Sequence, residues 1–137
     1  MSLDSATGVL TWDDGERIDP RVPLAEAGFS APLRVHASWK SFALPRRLLD
    51  GVEFGATLTF EGERLASIDL HLPRAGNDGY DSWSLAEEKD LAAQSARWLA
   101  HALPGGRRKF PWGTASAGFD ERSASAYLII RYEVIGL

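Results

Sequence analysis

None of the 137 residues is cysteine, and that absence removes several chemistries at once. Disulfide staples, thiolate nucleophiles and zinc sites built on sulfur are all excluded. A reducing compartment suits such a chain, so the cytoplasm is the expected location. Long apolar runs are missing too, since none approaches the roughly 20 residues a helix needs to cross a bilayer. The opening MSLDSATG has neither the basic patch nor the apolar stretch of a secretory leader. Residues 1–7 read as a tag or an unstructured end. Basic charge is scarce as well: 15 Lys and Arg stand against 19 Asp and Glu, a net charge of −4. A surface able to neutralise a phosphate backbone is not expected, and neither nucleic acid nor membrane is an expected partner.

Catalytic and metal motifs are as sparse. The three histidines, His36, His71 and His101, fall in different elements without ligand spacing. GNDGYDSW, residues 76–83, lacks the spacing of a calcium loop and reads as a turn before a helix. PGGRRKF follows a helix instead of opening one, so it aims no helix N-terminus at an anion. Asp69 and His71 share one strand face, where a carboxylate could orient an imidazole, but no nucleophile motif accompanies them. No cofactor, no metal and no enzymatic activity are expected.

What is present is a strongly alternating β pattern around one helix. GVLTW and ERI flank Asp14-Gly15, a hairpin-turn dipeptide. Residues 19–32 carry three prolines and read as an irregular connection. Residues 33–44 read as one strand with Val35, Ala37 and Trp39 on its apolar face. Residues 52–60 and 64–72 form a hairpin through Glu61-Gly62-Glu63, and residues 112–119 and 124–134 form another through Asp120–Ser123. On the last strand Leu128, Ile130, Tyr132 and Val134 face one way, with Tyr127, Ile129, Arg131 and Glu133 opposite.

The helix is announced by Ser84 and Glu87, which form a capping box. Leu85, Leu91, Ala92, Trp98, Leu99 and Ala102 give it an apolar stripe, and Pro104-Gly105-Gly106 stops it. The expected fold is α+β in one domain over residues 1–137: an antiparallel sheet of about six strands with one long helix packed on one face. Of the five tryptophans, Trp39 and Trp98 read as core, while Trp112 and the aromatic Tyr80 are the expected exposed rings.

The C-terminal half also resembles a known group. A helix ending in WLAHAL, then FPWG, a strand, an Asp turn and SAYLIIRYE is similar to small bacterial immunity-type proteins of polymorphic or contact-dependent toxin systems. The similarity covers residues 80–134, through Trp98, Trp112, Gly113, Asp120, Ile130 and Tyr132, which are structural residues. It implies a protein that neutralises a cognate toxin by stoichiometric binding, without chemistry of its own. Acidic and aromatic residues clustered in sequence supply the expected contact surface: Asp78, Tyr80, Asp81, Glu87, Glu88 and Trp112. Such a surface would suit a basic toxin domain. The last strand is a further candidate, as an edge that pairs with a second copy. Two other classes stay open. One is a small-ligand domain with a pocket between helix and sheet. The other is an enzyme in which Asp69 and His71 are joined by Arg34 or His36.

Overall fold

The seven-stranded antiparallel sheet at the centre of this protein runs β3-β4-β5-β6-β9-β8-β7. The structure is a computed structural model and describes residues 2–29, 32–73, 84–103 and 108–133. Two short strands, β1 (Leu10–Thr11) and β2 (Arg17–Ile18), pair as a separate ribbon. The main sheet is built from β3 (Arg34–His36), β4 (Trp39–Leu49), β5 (Val52–Glu61), β6 (Arg64–His71), β7 (Lys109–Phe110), β8 (Gly113–Asp120) and β9 (Ser125–Tyr132). The helix α1 (Leu85–Ala102) follows β6 and packs on β8 and β9. The α+β class with a helix on one face is as expected from the pattern. Seven strands replace about six: residues 33–44 divide in two and Lys109–Phe110 adds an edge, while the first hairpin pairs on its own outside the sheet.

Alternation decides which side of each strand is dry. In β5, Phe54, Ala56, Leu58 and Phe60 are buried while Thr57 and Thr59 lie between them. Register carries that choice across the sheet, since Phe42, Leu58, Ile68, Ile130 and Ala115 align on successive strands and all are buried. Tight turns hold the register. Asp50-Gly51 takes positive φ at both residues (51° and 77°), the geometry of a two-residue hairpin turn. The carboxylate of Asp13 accepts from both turn amides, Asp50 N at 2.8 Å and Gly51 N at 2.9 Å.

Two layers share the covered face. Helix α1 lies over β8 and β9, and Trp98 reaches across to Phe54, with ring centroids 5.0 Å apart and edge-on. The N-terminal segment joins the same core with Leu3, Leu10, Trp12 and Ile18, and Phe29 stacks on Phe42 at 5.0 Å. Residues 2–7, which read in the sequence as a tag or an unstructured end, are therefore part of the packing. Leu3 is fully buried, and the Ser2 hydroxyl donates to Asp50 at 2.7 Å.

The N-cap half of the expected capping box is formed: the Ser84 hydroxyl accepts from the Glu87 amide at 3.2 Å. Replacing that oxygen, Ser84→Ala, should cost about 1 kcal/mol of unfolding free energy, measurable by urea denaturation. The buried stripe of α1 is Glu88, Leu91, Ala92, Ser95, Trp98, Leu99 and Ala102. Leu85 is in phase with it yet exposed. A helical side chain leans over the turn preceding it, and at the first helical position no turn precedes.

Residues 33–44 correct the sequence reading. Ala37 adopts φ 53° and turns the chain, so β3 and β4 form a hairpin with His36 opposite Trp39. The reversal breaks the alternation read through residue 37, and Val35 (59% exposed) and Trp39 (41%) leave the core. Pro45 lies within β4, at a register shift between Leu44 and Arg47 where one extra residue removes the demand for its missing N–H.

Candidate partner-binding face

The face of the sheet opposite α1 and the N-terminal segment carries the polar half of each alternation. Register places Arg34, Ser41, Thr59, Ser67, Arg131 and Thr114 side by side across β3, β4, β5, β6, β9 and β8. The next row is Ala43, Thr57, Asp69, Ile129 and Ser116. Short hydroxyl side chains bond laterally: Ser41 to Thr59 at 3.2 Å, and Thr57 Oγ1 to His71 Nε2 at 3.2 Å. Among the described residues no helix or strand is packed on this face, since α1 contacts β8 and β9 from the other side. Trp39 and Tyr127 stand exposed on it. They occupy opposite corners, on β4 and β9, with β5 and β6 between them.

Asp69 sits near the middle of this face. Burial pushes its carboxyl above the usual 3.8, against the pull of the His71 and Arg131 charges, which lower it. The folded chain thus holds the Asp69 proton more tightly than the unfolded chain does. That stability is complete below the unfolded value and is lost as pH rises from 3.8 through the raised pKa. Asp69→Asn is therefore expected to raise the melting temperature at neutral pH and to flatten the decline in stability just above pH 3.8. Thermal melts of both proteins across the acid range check this.

The residues singled out from sequence fall differently. Asp78, Tyr80 and Asp81 lie outside the described residues. Glu87 is half-buried in the first turn of α1. Glu88 is buried, not presented to a partner, and its carboxylate accepts from the Ala126 amide at 3.3 Å. Helical phase explains this, because Glu88 stands three and four residues before Leu91 and Ala92 on the stripe facing the sheet.

Trp112, expected to be an exposed ring, is buried. It stacks on Phe110 with centroids 5.0 Å apart and planes 2° from parallel, and its indole N–H donates to the Ser5 carbonyl at 2.9 Å. The last strand, read as an edge for a second copy, is β9. It lies inside the sheet between β6 and β8, and the edges are β3 and β7.

The structure also separates the residues of the enzyme alternative. Asp69 and His71 do share a face, but Arg34 and His36 lie three strands away on β3, about 14 Å by strand spacing. Among the described residues, no group of three histidine, aspartate or glutamate side chains is placed to hold a metal ion. No described helix is long and apolar enough to cross a membrane. What the face offers instead is exposed Trp, Tyr and Arg in a polar field, the residue types that anchor protein interfaces. The alternation of β9 already marked Tyr127 and Arg131, whereas Trp39 was hidden by the misread hairpin. No protein-family model, curated protein or solved structure matches this chain.

Proposed function

We propose that this chain is a non-enzymatic protein-binding domain of the immunity type, which neutralises a cognate bacterial toxin by stoichiometric binding. The observation that carries this reading is the open sheet face with Trp39, Tyr127 and Arg131 exposed on it. A polar face with a few large rings suits a protein surface, which fills the spaces between anchors and expels water around them. The resemblance of residues 80–134 to immunity-type proteins supplies the partner class. The contact surface moves from the acidic cluster to the sheet, because Glu88 and Trp112 are buried.

Tagged protein recovered from its native host and weighed by native mass spectrometry tests the reading. The expected result is a one-to-one complex with the C-terminal domain of a larger secreted protein. A monomer free of any stoichiometric partner, from cells shown to express the toxin, would overturn it.

A further inference from the structure

A cleft of about 410 Å³ opens at one end of the sheet. It lies where the N-terminal segment meets the ends of β6 and β9 and the β7–β8 turn. Leu65, Pro111, Trp112 and Tyr132 supply apolar walls, with Pro20 beside them. Its volume falls in the range of small-molecule sites, which run from roughly 300 to 1,000 Å³.

The polar atoms of its two rings are already engaged. Trp112 Nε1–H donates to Ser5 O at 2.9 Å, and the Tyr132 hydroxyl donates to Gly8 O at 2.7 Å. The rings therefore present only apolar atoms to the cleft, and packing and hydrogen bonds hold both in place. Trp112 is stacked on Phe110 and lies 5.5 Å from Tyr132, centroid to centroid. Rigid aromatic walls favour a flat apolar ligand.

Charge narrows the class further. Three charged side chains line the cleft: Arg21, Arg64 and Glu133. Arg21 is committed to Asp19 through two side-chain hydrogen bonds, at 3.0 and 2.9 Å. Arg64 donates one nitrogen, Nη1, to the Tyr132 carbonyl at 3.0 Å. That bond fixes the guanidinium at the wall and leaves Nε and Nη2 without a hydrogen-bond partner among the described residues. A half-buried guanidinium held in place by one arm is preorganised to take a carboxylate with the others. Glu133 is exposed, and its charge disfavours a ligand carrying more than one negative group.

We infer that this cleft binds a small aromatic monocarboxylate, its ring between Trp112, Tyr132 and the prolines and its carboxylate on Arg64. The partner-binding reading is independent of this site and can fail without it. Titration of the ¹⁵N-labelled protein with 2-naphthoate, and with neutral 2-naphthamide as control, tests the inference through the Trp112 indole N–H signal. A saturable shift is expected, with naphthoate binding about tenfold or more tightly than the amide, as a charge-assisted hydrogen bond requires. Arg64→Gln should reduce naphthoate to the level of the amide, while Arg21→Gln leaves it within about twofold. Arg64→Lys, which keeps the charge and loses the fork, should fall between wild type and Gln and serves if the Gln variant does not fold. No saturable shift of Trp112, equal affinities for the two probes, or unchanged affinity in the Arg64 variants would overturn the assignment.

Discussion

Gly113→Ala should leave little or no folded protein. Gly113 opens β8 with φ 152°, a backbone conformation that L side chains rarely adopt. A methyl group there would overlap the carbonyl oxygen of Arg131 and come within 2.9 Å of its carbonyl carbon. Those atoms belong to β9, hydrogen-bonded to β8 in the interior of the sheet, so they cannot swing aside as a flexible side chain would. Relief requires the two strands to part at the point where Gly113 pairs with Tyr132. Strained backbone combined with a backbone clash belongs to the severe class of single substitutions, at about 4 kcal/mol or more. A chain of this size is typically stable by only about 5–15 kcal/mol. Soluble yield and far-ultraviolet circular dichroism of the variant check the expectation, and a normal melting transition would refute it. The glycine of FPWG is thus a structural requirement of the β8–β9 pairing.

Trp98→Ala is the second large effect, expected at about 3–5 kcal/mol of lost stability by chemical denaturation. Trp98 ties α1 to β4 and β5 of the sheet. Its ring packs edge-on against Phe54, and its indole N–H donates to the Leu49 carbonyl at 3.3 Å inside the core. Truncation leaves a cavity between α1 and β5 and strips a buried carbonyl of its donor. Trp12 provides the internal contrast. It is as deeply buried, but its Nε1 has no hydrogen-bond partner among the described residues. Trp98→Phe should therefore destabilise more than Trp12→Phe, since only the former breaks a hydrogen bond while the latter removes an unpaired buried donor.

The local patterns of this sequence translated directly into structure. Alternation in residues 125–132 gave the correct faces, because a strand's period of two leaves no other way to bury Leu128 and Ile130 together. Ser84 and Glu87 marked the helix start, since the capping oxygen and the amide it serves are only three residues apart. Features resting on distant contacts were not legible. The Ser5 carbonyl meets Trp112 across 107 positions, and nothing near either residue announces the pairing. The turn at Ala37 escaped because no glycine, asparagine or proline marks it; its positive φ is imposed on an alanine. Glu88 misled for a related reason. An acidic residue in a first helical turn suits the helix dipole, and only the helical phase shows it turned inward.

The candidate face shows the same division. Asp69, His71 and Arg131 could be assigned to the polar side from their own strands. Their adjacency depends on β9 inserting between β6 and β8, a choice made by the sheet as a whole. Trp39 joined them only once the hairpin had reversed its strand.

The measurement closest to the central claim is the dissociation constant of the co-purified toxin domain for wild type and for Trp39→Ala. Trp39 is exposed and outside the core, so the variant should melt as wild type does. If the open sheet face is the interface, removing this ring weakens binding by about 30-fold or more, the scale of an interface hot spot. Unchanged affinity for Trp39→Ala, together with weakened binding by Glu87→Lys at the start of α1, would contradict the account and return the interface to the acidic end of the helix.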